Sequence, residues 1–212
     1  MDIEATRRRL LERTLDHVPF DGWTMTALQR AAADEGLDGA TVVNAFPGGP
    51  AELVAFHSAE ADRRLLESLQ AMDLASMRVR DRIATAVRLR LEQNAEHREA
   101  IRRALAFLAL PQNGPLALKC LYRTVDAMWY AAGDTSTDYN FYTKRMLLSG
   151  VYSSTLLFWL NDDSEGHAET WAFLSRRIDE VLKIGGNLGK GVKALLDLPD
   201  RLFRFRPGAA RR

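Results

Sequence analysis

Apolar and polar positions alternate with a helical period almost throughout this chain. Apolar residues recur at intervals of three and four, and breakers separate the runs. The spacing predicts helices over 2–18, from just after Thr24 to Gly36, and over 39–46, 51–72, 78–94, 97–110, 115–132, 138–161 and 167–183. Pro19 and Gly22 close the first, and Pro47-Gly48-Gly49-Pro50 parts the third from the fourth. Pro111, Gly114 and Pro115 mark a later junction. Gly133, followed by Asp134, Thr135, Ser136 and Thr137, supplies a turn with several N-cap candidates. Asn161-Asp162-Asp163-Ser164 is a polar turn. No stretch alternates long enough to predict a sheet, and there is no internal repeat.

The elements form three short helices, a set of longer ones and a tail. Ala32, Gly36 and Val42 fall where a helix-turn-helix wants a small residue, a turn glycine and an apolar anchor. An all-α chain with such a head on a larger helical bundle resembles the tetracycline-repressor (TetR) plan. That resemblance concerns fold and does not fix function. The expected division is a degenerate head at 1–50, a helical body at 51–183 and a flexible tail at 184–212. A transcriptional repressor is the alternative reading, and charge argues against it. Residues 31–62 hold no Lys or Arg, but do hold Asp34, Glu35, Asp38, Glu52, Glu60 and Asp62. Duplex DNA is held through its phosphates by basic side chains, so this surface is expected to repel it.

The net charge is only +1 over 212 residues, but it is unevenly placed. Lys183, Lys190, Lys193, Arg201, Arg204, Arg206, Arg211 and Arg212 face only Asp197 and Asp200, so the tail is basic and the rest of the chain acidic. Gly185, Gly186, Gly189 and Gly191 predict a flexible joint, since each costs about 1 kcal/mol relative to Ala in a helix interior. Beyond it, Leu195, Leu196, Leu202 and Phe203 recur at helical spacing beside Lys193, Arg201 and Arg204, with Pro199 between them. This composition suits an amphipathic helix that meets an anionic membrane surface; the alternative is a tail that packs on its own body or ends solvated. The most apolar run, 146–160, is broken by Ser149, Ser153, Ser154 and Thr155 and is too short to span a bilayer, which takes about 20 residues.

The stretch 125–145 interleaves Asp126, Asp134 and Asp138 with Met128, Trp129, Tyr130, Tyr139, Phe141 and Tyr142. Aromatic anchors massed around acids at a turn suit a surface that buries itself against a partner. The run Asp126-x-Met128-Trp129, then Ala132-Gly133-Asp134, Ser136-Thr137-Asp138-Tyr139-Asn140 and Tyr142-Thr143-Lys144-Arg145, resembles the signature of the coenzyme Q (ubiquinone) biosynthesis accessory family. The resemblance extends over most of 1–182 and includes Gly22-Trp23-Thr24 and Leu110-Pro111-Gln112-Asn113. It implies a homodimer that holds isoprenoid or quinone-type lipids in its body without being an enzyme. It also implies that the protein presents lipid intermediates to the di-iron demethoxyubiquinone hydroxylase. The docking patch would include Asp126, Met128, Asp138, Phe141 and Tyr142, with Phe141 in place of the Trp common among relatives. Candidate pocket residues are Ile83, Val87, Leu91, Leu105, Leu108, Leu118, Leu121, Met146, Val151 and Leu156. Chain length and a charged Met1–Arg13 stretch without a targeting peptide lead to the expectation of a bacterial-type member, cytoplasmic and associated peripherally with the inner membrane.

No catalytic or cofactor motif is present. His17, His57, His97 and His167 are scattered along the chain, and none falls in the Glu-x-x-His repeat of a di-iron bundle. No phosphate loop or dinucleotide fingerprint occurs. Cys120, the single cysteine, lies in an apolar helical stretch and is expected to be a buried structural thiol. The arginine clusters 7–9, 78–82 and 88–90 are expected to be solvated faces.

Overall fold

The computed structural model describes the backbone of residues 2–134 and 139–196, and the side chains of 2–134 and 141–183. Among these residues it is built of α-helices with short 3-10 turns and no strand. The helices are α1 (Ile3–Asp21), α2 (Met25–Asp34), α3 (Gly39–Ala45), α4 (Gly49–Gln70), α5 (Val79–Glu92), α6 (Arg98–Leu108), α7 (Gly114–Ala131), α8 (Tyr139–Trp159) and α9 (Ala168–Leu196).

The caps follow the sequence. The Thr24 hydroxyl accepts from Ala27 N at the start of α2, and the Asp38 carboxylate accepts from Thr41 N at the start of α3. Pro19 does not end α1, as its position had predicted. The helix carries it and stops at Gly22, whose φ of 70° turns the chain while its N–H closes on the Val18 carbonyl. The second difference is in α9, which runs through Gly185, Gly186, Gly189 and Gly191 to Leu196 where a joint was expected. Extending an established helix avoids the nucleation cost, so scattered glycines weaken it without necessarily breaking it.

Two cores result. In the head, Leu10, Val18, Leu28, Val42, Phe46 and Leu53 bring α1–α3 onto the start of α4, and this core reaches Ala100 and Ala104 of α6. Trp23 bolts the head to α6, its buried indole N–H donating to the Ala100 carbonyl at 2.9 Å. In the body, Leu65, Leu69, Val87, Val125, Met128, Val151 and Trp159 join α4, α5, α7 and α8, and Leu174 and Ile178 bring α9 into the same core. Fully burying such a side chain contributes about 1.5–3 kcal/mol. The hydroxyls of Ser149 and Thr155 donate back to the carbonyls of Arg145 and Val151, which is how α8 buries polar residues inside an apolar run.

The six acids of residues 31–62 mostly serve the head itself. Glu35 is held by Arg9 and Arg13, Glu52 by Arg7, Glu60 by Arg8 and Arg63, and Asp34 by His17. Asp38 caps α3, and Asp62 lies buried at the body. The helix that would enter a DNA groove, α3, has no basic residue and exposes Ala40, Val43 and Asn44.

Candidate functional site

A cavity of about 390 Å³ opens at the seam between the two cores. Five helices wall it: α4 through Val54, His57 and Ser58, α5 through Arg90 and Leu91, and α6 through its apolar face from Ile101 to Leu108. The remaining walls are α7 from Ala117 to Thr124 and α8 from Tyr152 to Trp159. The size lies within the roughly 300–1,000 Å³ of small-molecule sites. The α6 wall and the N-terminal half of α7 are apolar, whereas α4, α5 and Thr124 make a polar wall.

That polar wall is fixed by one buried carboxylate. Asp62 accepts from Arg90 Nε at 3.1 Å, Arg123 Nε at 3.0 Å and the Thr124 hydroxyl at 2.8 Å. The side chains of Asp62 and Arg90 are only 6% and 7% exposed, so Arg90 does not belong to a solvated face as its cluster had suggested. Burial, with the nearby Arg90, Arg64 and His97, pushes the His57 imidazole down to about 3, so it is neutral at physiological pH. Burial raises the Tyr152 phenol above its ordinary value, keeping it neutral too. Cys120 is buried and its residue lines the cavity.

Five of the residues expected in a pocket, Leu91, Leu105, Leu108, Leu121 and Leu156, do line this cavity. Ile83, Val87 and Val151 do not; they are buried in the body core, packed against neighbouring helices. Leu118 and Met146 are 70% and 68% exposed, and face away from any interior. Helical periodicity identifies an apolar face but not what that face meets. His57 and Trp159 were absent from the expected set. A lone His and a core Trp carry no sequence signal, and only their convergence on one cavity marks them.

The α7–α8 turn forms a second feature. Arg145, nearly buried, donates to Asp126 at 2.6 Å and Asp134 at 3.1 Å, and its guanidinium lies 3.3 Å from the Phe141 ring centroid. Lys144 adds a 2.7 Å bond to Asp134, and Trp129 Nε1 donates to the Lys144 carbonyl. Tyr142 is 68% exposed and meets Phe141 edge-on. Met128 is fully buried, which removes it from the expected docking patch. Its place on α7 points inward to the body core. Asp138 lies outside the described residues. So do the side chains of Lys193, Leu195 and Leu196, and Arg201, Leu202, Phe203 and Arg204 entirely. Tyr142 and Met146 are one turn apart on α8, with Leu157 further along, and Leu118 and Tyr122 are one turn apart on α7; all five are exposed.

The described helices include none long and apolar enough to cross a membrane, and no cluster of potential metal ligands occurs among the described residues.

The model of the COQ9 family matches residues 114–185, which include all of α7 and α8 and the first part of α9. The chain is 35% identical to the rat "Ubiquinone biosynthesis protein COQ9, mitochondrial", over 98% of its own length and 67% of that protein's. It belongs to the COQ9 family. The Drosophila melanogaster protein of the same name is 37% identical, over 86% of this chain and 57% of its own length, and the human one is 34% identical over 98% and 66%. The chain therefore spans between 57% and 67% of the length of these three relatives, all named mitochondrial. A TetR transcriptional regulator from Nitrosomonas europaea superposes with a TM-score of 0.70, over 84% of this chain and 98% of that one, at 20% identity. This likeness shows the fold: a COQ9-family chain on an all-α, TetR-like frame.

Proposed function

We propose that this COQ9-family chain is a non-enzymatic accessory protein of ubiquinone biosynthesis that holds a prenyl or quinone-type lipid in the cavity between its cores. The observation that carries the reading is the cavity itself, whose α6 and α7 walls give continuous apolar lining to a carbon chain. The family assignment supports the pathway, since the relatives are named ubiquinone biosynthesis proteins. The protein presents its lipid to the di-iron demethoxyubiquinone hydroxylase through the α7–α8 turn, where Tyr142 and Phe141 stand on the Asp126–Arg145–Asp134 network. The exposed apolar residues of α7 and α8 supply surface for a homodimer. The segment after 183, basic and apolar in sequence, brings the protein to the inner membrane surface without spanning it. A helix α3 without basic residues disfavours the repressor reading.

Cys120 gives a direct test, because it is the single cysteine and its residue lines the cavity. A prenylated quinone should slow its reaction with a small maleimide in the folded protein, with protection saturating at one ligand per chain. Equal labelling rates with and without saturating lipid would remove the cavity from the account.

A further inference from the structure

We infer that Arg82 is a positioning residue for the docking face. By tying the α4–α5 turn to the end of α7, it fixes how the α7–α8 turn offers Phe141 and Tyr142 to the hydroxylase. The inference rests on the docking reading and adds to it the side chain that holds the face in place.

The place of Arg82 beside Arg78 and Arg80 had suggested a solvated cation. Instead Arg82, in the first turn of α5, is half-buried and commits all three guanidinium nitrogens to main-chain carbonyls. Nε donates to Met77 at 3.0 Å and Nη2 to Ala75 at 3.1 Å, both in the turn after α4. Nη1 donates at 2.9 Å to Ala132, which caps α7 and lies 50 positions away. A planar guanidinium has donors in fixed directions and can hold separate acceptors in one arrangement, which a single ammonium does not.

The Ala132 carbonyl is where such a grip governs the turn. The chain leaves α7 through a Schellman motif, with Gly133 at φ 85°. Gly133 N donates to the Tyr130 carbonyl and Asp134 N to the Trp129 carbonyl, each at 3.0 Å. A Cβ on Gly133 would come within 3.2 Å of Arg82 Nη1, so the bare glycine also keeps the guanidinium seated. Asp134, two residues past Ala132, has a side chain only 3% exposed and accepts from Lys144 and Arg145 of α8. Arg145 lies on the Phe141 ring, and Phe141 meets Tyr142. Movement of Ala132 thus reaches the exposed rings through Asp134 and Arg145. Ala75, Tyr130 and Gly133 are exposed, so this junction stands at the rim of the body core and can loosen locally while the core stays closed.

The test measures, by biolayer interferometry, the affinity of the full chain for the di-iron hydroxylase, well below the melting temperature of every variant. Arg82→Gln should bind about ten-fold more weakly than wild type, a factor worth about 1.4 kcal/mol. Arg82→Lys keeps the charge but not the fork, so it should weaken binding too; it decides alone should Arg82→Gln fail to fold. Amide hydrogen exchange at Gly133 and Asp134 should quicken in both. Asp162→Asn, which loosens the opposite end of α8, serves as the control for general destabilisation and should bind as wild type does. Wild-type affinity in the Arg82 variants, full rescue by Arg82→Lys, unchanged exchange at the turn, or an equal loss in Asp162→Asn would each overturn the inference. If Tyr142→Ala still weakens binding in that case, the docking reading stands without Arg82. No binding by wild type, or none lost in Tyr142→Ala, would remove the docking reading and the inference with it.

Discussion

Asp62→Asn is the sharpest probe of how the cavity's polar wall is held. Asparagine keeps the shape and can still accept from the Thr124 hydroxyl, now 2.8 Å from the carboxylate, but the negative charge is gone. Arg90, 7% exposed, would then lie in the interior with no counter-ion. Breaking a buried pair by removing one partner costs about 3–5 kcal/mol, because a buried charge is left uncompensated. Arg123 is 36% exposed and can turn to water, so its lost ion pair adds little. For a chain of this size 1 kcal/mol shifts Tm by about 2–4 °C, so Asp62→Asn should melt roughly 6–20 °C below wild type. Far-UV circular dichroism during heating and urea titration reads this, and the urea m-value should stay constant. The double replacement Asp62→Leu with Arg90→Met should recover most of the loss, since apolar substitutes of similar volume remove the desolvation cost of both ions. Melting of Asp62→Asn within about 2 °C of wild type would refute the reasoning, since it would put the buried pair's contribution below about 1 kcal/mol.

Asp162 offers a pH test at the α8–α9 turn. Burial would raise its pKa, but hydrogen bonds from Ser164 and Thr170 outweigh this and hold it well below the ordinary value near 3.8. A depressed folded-state pKa contributes stability that is fully present above the unfolded value and is lost as pH falls through the folded one. Between pH 6 and pH 3, Tm of Asp162→Asn should therefore fall less than that of wild type, and at pH 7 the variant should be less stable by about 1–3 kcal/mol; parallel curves would contradict this. Tyr142→Ala removes an exposed ring, so it should weaken binding to the di-iron hydroxylase, read by biolayer interferometry, with Tm changed by no more than about 2 °C. Unchanged binding would take Tyr142 out of the docking face.

The helices were legible because their signals are local. The Thr24 and Asp38 caps, the left-handed turns at Gly36 and Gly133, and three-and-four spacing each act within a few residues. The wall of the cavity was half legible. Leu105 and Val87 have the same apolar character, yet one meets empty space and the other meets packed neighbours, and that depends on how helices distant in sequence are set against each other. The Asp62–Arg90–Arg123 network joins residues 28 and 61 positions apart, so nothing local marks it. Met128 shows the opposite error. It sits inside the most recognisable stretch of the chain, but its turn of α7 faces the core. The acids of the head were counted correctly as a charge, but their partners on α1 make them part of the head's own packing.

Native mass spectrometry of the full chain, purified without detergent and compared with a Leu105→Trp, Ala117→Trp double variant that obstructs the cavity from two walls, puts the central claim to the most direct trial. Wild type should carry a hydrophobic adduct of prenyl-lipid mass at one per chain, and the variant, folded by circular dichroism, should carry none. Bare wild-type protein that also takes up no added prenyl lipid, or an adduct retained at the same level in the filled variant, would contradict it.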